Sequence, residues 1–107
     1  MTANEAIAII AYDILCTLNA EDYNDEGIFF PILQLHDDLC FNGFNHGLEA
    51  YPNGLCILFN ETLKRMIDKE LIWKEYVGSG DKTHPIYGMY AAGHEALRNH
   101  KDCKVYV

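Results

Sequence analysis

The spacing of apolar residues changes along this chain, and that change limits the folds it can adopt. Before residue 70, three segments place apolar residues three or four apart, which is the period of a helix face. Residues 71–77 alternate and are rich in strand formers, residues 78–81 are typical of a turn, and residues 85–90 supply a second strand. Residues 91–99 return to helical composition, although Gly93 weakens it, and residues 103–107 have some strand character. The pattern predicts an α+β fold, mainly α, with three helices, a β-hairpin and a closing helix.

The three predicted helices each carry an apolar face. Thr2 or Asn4 can cap the first, Pro31 suits the first turn of the second, and the third begins near residues 53–54. Residues 19–27 read as a solvated loop, and residues 41–53 favour turns. We expect the buried faces to contain Ile7, Ile10, Ala11, Ile14, Leu15 and Leu18; Ile32, Leu35 and Leu39; and Leu55, Leu58, Phe59, Thr62, Leu63, Met66 and Ile67.

Length and cysteine usage set further expectations. A chain of 107 residues that is 50% hydrophobic can build one compact core, so we expect a single domain over residues 1–107. No apolar run is long enough to span a bilayer. The widely spaced Cys16, Cys40, Cys56 and Cys103 are expected to be reduced, and three of them to be buried. These features predict a soluble, cytoplasmic protein without membrane contact.

Two stretches resemble a known family. Residues 61–72 read Glu-Thr-Leu-Lys-Arg-Met-Ile-Asp-Lys-Glu-Leu-Ile, which resembles the end of a winged helix-turn-helix recognition helix. Residues 87–97 read Tyr-Gly-Met-Tyr-Ala-Ala-Gly-His-Glu-Ala-Leu, which is similar to the passage after the wing in PadR and MarR regulators. The resemblance, over residues 61–100, implies a winged-helix-like domain and a DNA-binding transcription regulator. Such domains commonly dimerise through terminal helices, so it also implies a homodimer through the first helix.

The distribution of charge points to a different partner. Lys64 is the first basic residue, and ten carboxylates precede it, so the net charge of -8 arises in the first half of the chain. That half lacks the Lys and Arg that bind phosphates. Carboxylates aid solubility, but they can also attract a basic protein surface or imitate a nucleic-acid backbone. The candidate protein-binding residues are Glu21, Asp22, Asp25, Glu26, Asp37, Asp38 and Glu49.

The region expected to read DNA is also poorly equipped for it. The amino-terminal part of a recognition helix meets the base edges, but residues 53–61 contain no cation and one carboxylate. About a dozen residues separate the second and third helices, many more than in a tight helix-turn-helix. In the alternative hypothesis of a DNA-binding regulator, the phosphate contacts are Lys64, Arg65, Lys69, Lys74 and Lys82.

No motif indicates catalysis or a cofactor. The glycines do not form a phosphate-binding loop, and the spacings of His36, Cys40, His46 and Cys56 match no common zinc pattern. We therefore predict neither an enzyme nor a metal or cofactor site. The leading hypothesis is an acidic protein-binding module that inhibits or modulates a nucleic-acid-binding protein. This hypothesis includes an inhibitor of the phage anti-defence or anti-CRISPR type, which in its extreme form would be a DNA mimic.

Overall fold

The computed structural model describes residues 2–20, 30–42 and 55–107. Its elements in chain order are helices α1, α2 and α3, strands β1 and β2, and helix α4. A single 3-10 turn, Gly80–Lys82, joins the strands. The fold is thus α+β and mainly helical, with a winged-helix-like layout, as predicted. The bounds are α1 Ala3–Ala20, α2 Phe30–Asn42, α3 Leu55–Asp68, β1 Ile72–Val77, β2 His84–Met89 and α4 Ala91–Asn99.

Helix α1 lies at the centre of the described core. Thr2 caps it, because the Thr2 hydroxyl accepts the Glu5 backbone N–H at 3.2 Å while the Glu5 carboxylate accepts the Thr2 backbone N–H at 3.3 Å. This reciprocal pair is a capping box. The predicted apolar face is buried against α2, α3, α4 and β2. Those side chains pack within the chain itself, so a homodimer through α1 would have to use the other residues of the helix. The homodimer stays a prediction.

Helix α3 ends without the glycine that commonly stops a helix. Glu70 adopts a left-handed conformation with φ 56°, and its N–H donates to the Ile67 carbonyl at 3.0 Å. The Leu71 N–H donates to the Met66 carbonyl at 2.9 Å. These two bonds form a Schellman motif, which turns the chain directly from α3 into β1.

The hairpin pairs β1 and β2 in antiparallel register from Ile72 opposite Met89 to Val77 opposite His84. Burial does not alternate along β1 as its sequence predicts: Ile72 is buried, Trp73 is half-buried and residues 74–77 are exposed. Along β2, in contrast, residues 86–89 are all buried. The hairpin therefore packs on the body through β2 and presents the outer part of β1 to solvent.

Helix α4 packs closely against the start of the hairpin. The Tyr90 N–H donates to the Leu71 carbonyl at 3.0 Å. A Cβ at Gly93 would lie 2.3 Å from that same oxygen, so the approach requires glycine. Glycine has low helix propensity, but at position 93 it permits the close packing of this helix.

The tail and the cysteines differ from expectation. Residues 103–107 do not form the strand that their composition favours; instead the buried Val105 donates its N–H to the Ala8 carbonyl at 2.9 Å. Cys16 and Cys103 are free, as predicted, but Cys16 is half-buried and Cys103 is exposed. Cys56 is exposed and disulfide-bonded. The prediction of four reduced cysteines, three of them buried, is therefore wrong, because Cys56 and Cys103 lie outside the apolar faces of their segments.

Candidate interaction surface

One face of α3 is left exposed by the packing of the other. Ile57, Asn60, Lys64 and Asp68 are spaced three or four residues apart and are all exposed, and we call them the α3 face. The opposite side of the helix is buried in the core. Ile57 is 74% exposed in the first turn of the helix. The α3 face thus begins with a large apolar side chain and continues with one amide, one cation and one carboxylate.

A groove of about 370 Å³ separates α3 from the hairpin, and we call it the α3–hairpin groove. It brings two of the five predicted DNA-binding cations together, one from the helix and one from β1. A carboxylate also lines the groove, together with apolar side chains, so the charge of the groove is mixed. The lining residues are Asn60, Leu63, Lys64, Ile67, Asp68, Lys74 and Tyr87.

A second hollow of about 200 Å³ lies between α2, α3 and β2, and we call it the apolar hollow. The His36 ring packs edge-on against the Phe59 ring there, with centroids 5.1 Å apart at 77°. The hollow shares Asn60, Leu63 and Tyr87 with the α3–hairpin groove, so the two form one continuous surface across α3. Its lining residues are Ile32, Leu33, His36, Phe59, Asn60, Leu63, Pro85 and Tyr87.

Two aromatic rings flank the cation of Lys74. Its ammonium lies 5.0 Å from the centre of the Tyr76 ring and 5.9 Å from that of Tyr87, within cation–π range. Hydrogen bonding with Tyr76 raises the pKa of Lys74, so this side chain stays charged at neutral pH. Burial raises the pKa of Tyr87, which stays a neutral phenol. Lys74 is therefore a fixed positive charge seated on aromatic surface at one wall of the groove.

Arg65 is directed away from this groove. Its Nε donates to the Glu61 carboxylate at 3.2 Å, and its Nη1 donates to the Asn4 side-chain oxygen at 3.4 Å. These contacts link α3 to the start of α1. A phosphate would have to compete with them, which makes Arg65 the least suitable of the predicted DNA contacts.

The remaining predicted cations lie apart from the groove. Lys69 follows the last residue of α3, and Lys82 lies in the turn of the hairpin; both are exposed. Each has a carboxylate as its neighbour in sequence, Asp68 and Glu70 beside Lys69 and Asp81 beside Lys82. The five predicted DNA-binding cations are therefore dispersed over the helix, its end and the hairpin.

Two of the seven predicted protein-binding carboxylates lie among the described side chains. Asp37 on α2 is exposed, and its carboxylate lies 3.2 Å from the His36 imidazole, whose ring contacts Phe59 in the apolar hollow. Asp38 is half-buried. Glu21, Asp22, Asp25, Glu26 and Glu49 lie outside the described residues. Asp37 therefore places negative charge beside the apolar hollow.

The apolar part of this surface was not predicted from the sequence. Ile57, Leu33 and Tyr76 are large side chains that are 74%, 42% and 66% exposed. The exposure of Ile57 could have been predicted, because Ile57 lies outside the arc of apolar residues that forms the buried side of α3. The exposure of Leu33 and Tyr76 depends on how α2 and the hairpin pack, which local spacing does not reveal.

Comparison with protein-family models, with curated proteins and with solved structures finds no match to this chain. Within the described residues, no cluster of three or more His, Cys, Asp or Glu side chains is arranged to hold a metal ion. Among the helices described, none has the length and apolar content needed to cross a membrane. The features of this chain that bear on function are therefore the surface around α3 and the distribution of charge.

Proposed function

We propose that this chain is a protein-binding module that inhibits or modulates a nucleic-acid-binding protein by docking on its basic surface. The observation that carries the proposal is the composition of the α3 face, which begins with an exposed apolar side chain. In a DNA-reading winged helix the first turns of this helix meet base edges, which are recognised by hydrogen-bonding side chains. Here Ile57 occupies the first turn, and burying such a side chain favours contact with protein rather than with phosphate.

The apolar hollow and the acidic first half support the same proposal in different ways. Exposed apolar side chains at a concave surface supply affinity when a partner covers them. Carboxylates around such a patch, Asp37 among the described ones, accelerate encounter with a positively charged partner. The surface thus combines an apolar anchor with negative charge, which is the combination expected for a basic protein partner.

A binding measurement with DNA tests the proposal directly. Purified protein is titrated into a labelled random-sequence duplex at low and at moderate salt. We expect no binding at either concentration, because the ten carboxylates of the first half repel phosphates. Binding that weakens steeply as salt rises would overturn the proposal.

A second experiment tests the charge. The immobilised chain captures proteins from lysate, and a variant with Asp22, Asp25, Glu26, Asp37 and Asp38 reversed to lysine is compared with it. The matched control reverses five exposed carboxylates of the second half instead: Glu70, Glu75, Asp81, Glu95 and Asp102. We expect only the variant reversed in the first half to lose the captured partner. The circular dichroism spectra of both variants should match that of wild type. Equal capture by both variants would refute the role of the first half.

The layout of the fold favours one other function, a DNA-binding regulator. Lys64 and Lys74 line the same groove between α3 and the hairpin, so both cations could contact one phosphate backbone there. In this alternative, Lys69 and Lys82 extend the contacts and Arg65 adds little because Glu61 and Asn4 engage it. Replacing Lys64 by Gln would then reduce the salt slope of DNA binding by about 1, whereas Arg65→Gln would leave it nearly unchanged.

A further inference from the structure

The α3–hairpin groove and the apolar hollow place two cations next to an apolar compartment. The groove and the hollow share the side chains of Asn60, Leu63 and Tyr87, so a single ligand can enter both. Lys64 and Lys74 line the groove but not the hollow. A ligand that fills both compartments therefore needs an apolar group and, next to it, a group with negative charge.

The strand register determines which charge the hairpin presents to the groove. Lys74 lies opposite Tyr87 across the hairpin, so both side chains are on one face of it. The Lys74 ammonium lies 5.9 Å from the centre of the Tyr87 ring on that face. Glu75, the next residue of β1, belongs to the opposite face because side chains alternate along a strand. Among the described residues that line the groove, the hairpin thus contributes a cation and no carboxylate.

Helix α3 presents polar groups to the groove that the fold itself does not engage. Lys64 and Asn60 are exposed, and within the described part of the chain neither side chain makes an ion pair or a hydrogen bond. Arg65, in contrast, is held by Glu61 and Asn4. A ligand in the groove can therefore bind the ammonium of Lys64 and the amide of Asn60 without breaking a contact of the fold.

The end of a protein chain combines the two groups that this surface requires. A basic partner would be repelled by Lys64 and Lys74 unless it presents an anion to them, and every protein chain, whatever its net charge, ends in an α-carboxylate. The last side chain and the α-carboxylate leave the same Cα. An apolar last residue can therefore place its side chain in the hollow while its carboxylate stays in the groove. A nucleic-acid phosphate lacks the apolar group that the hollow accepts.

We propose that the α3–hairpin groove and the apolar hollow bind the C-terminal segment of the partner protein, whose last residue is apolar. This inference rests on the proposed function, because the segment belongs to the protein that this chain binds. The α-carboxylate lies between Lys64 and Lys74, the last side chain fills the hollow, and the Asn60 amide hydrogen-bonds to the peptide backbone. Asp68, which also lines the groove, favours a basic side chain among the preceding residues.

Short synthetic peptides test the proposal. A peptide that ends in Lys-Gly-Leu with a free carboxylate carries a dye at its amino end, and its binding to the full chain is followed by fluorescence anisotropy. The matched control is the same peptide with a C-terminal amide. We expect the free acid to bind at least about tenfold more tightly, which corresponds to one charge-assisted hydrogen bond. A free acid that ends in serine instead of leucine should also bind about tenfold more weakly, because its side chain leaves the hollow empty.

Variants that remove one positive charge locate the carboxylate. Lys64→Gln and Lys74→Gln should each weaken binding of the free acid by about threefold or more and leave binding of the amide nearly unchanged. Lys69→Gln and Lys82→Gln alter the net charge equally but lie outside the groove, so they should have little effect on either peptide. All four lysines are exposed, so each variant should fold as wild type does.

Three results separate this proposal from the proposed function. Equal affinity for the free acid and the amide would overturn the proposal, as would equal losses in the groove variants and the control variants. Absence of peptide binding at millimolar concentration, with a partner still captured from lysate, would refute the role of the groove and leave the proposed function standing. Binding to the DNA duplex that weakens steeply as salt rises would instead refute the proposed function.

Discussion

Because α4 packs closely on the end of α3, we predict that replacing Gly93 by alanine destabilises the protein. Helix propensity alone would predict the opposite effect. At an exposed helical site, replacing glycine by alanine stabilises a protein by up to about 1 kcal/mol. At Gly93, however, the new Cβ would lie 2.3 Å from the Leu71 carbonyl oxygen and 3.2 Å from its carbon. Real Cβ atoms essentially never come within 3.0 Å of such atoms, so α4 would have to move away by most of an ångström.

The cost of that movement has three parts. Overpacking at a buried site costs about 1–3 kcal/mol. The hydrogen bond from the Tyr90 N–H to the Leu71 carbonyl, now 3.0 Å long, would weaken at a cost of up to about 1 kcal/mol. Against these two costs, the higher helix propensity of alanine stabilises the folded state by up to about 1 kcal/mol. We therefore expect Gly93→Ala to destabilise the protein by about 2 kcal/mol, which lowers the unfolding temperature by roughly 10 °C.

Thermal and urea unfolding, followed by circular dichroism, measure the effect. Gly93→Ser should lose as much stability as Gly93→Ala, since both add the same Cβ. Ala92→Gly, at an exposed site of the same helix, should lose no more than about 1 kcal/mol and measures propensity alone. A Gly93→Ala protein that is as stable as wild type, or more stable, would refute the close packing of α4 on Leu71.

Further predictions concern the end of α3, the cap of α1 and the α3 face. Glu70→Gly should raise the free energy of unfolding by about 0.5–1 kcal/mol, because glycine adopts a φ of 56° without strain, whereas Glu70→Ala should not. Thr2→Ala should lower it by about 1 kcal/mol in the same urea assay. The backbone hydrogen bond with Thr2 lowers the pKa of Glu5 from 4.5, so its stabilisation is present above that pH and is lost as pH falls through the lowered value. The Glu5→Gln variant should therefore be less stable than wild type at neutral pH, and the two free energies of unfolding should converge in acid. Ile57→Ser should change stability by less than about 0.5 kcal/mol, because Ile57 is 74% exposed; a larger loss would show that this side chain is covered.

The helices could be predicted because local information determines them. The apolar spacing of α1, the early proline of α2 and the arc of α3 depend on residues within two turns of one another, and the observed bounds follow them closely. The end of α3 was harder to place, since Glu70 takes a conformation for which glycine is the usual signal. The Schellman bonds, together with strand pairing that starts at Ile72, hold it there.

The candidate site could not be predicted in the same way, because its parts come from distant segments. Lys64 and Lys74 line one groove only because the hairpin folds back beside α3, and Tyr87 joins them through its strand register. Sequence neighbours misled as well: Lys64 and Arg65 are adjacent, but only Lys64 lines the groove, while Arg65 is held by Glu61 and Asn4. Consecutive residues on a helix point about 100° apart, so adjacent cations seldom serve one ligand.

The choice between nucleic acid and protein as partner follows from how each kind of binding gains free energy. Affinity for DNA rises with the number of phosphates that cations neutralise together, because each contact releases condensed counterions. In the α3–hairpin groove, Lys64 and Lys74 could make only two such contacts, and Asp68 lines the same groove and opposes them. Affinity for a protein rises instead with apolar area removed from water, and the exposed side chains of Ile57 on α3 and of Leu33 in the apolar hollow offer that area. Negative charge in the first half of the chain weakens binding to nucleic acid and strengthens binding to a protein when that protein is basic. The two contributions reinforce each other only for a basic protein, which is why that partner is proposed.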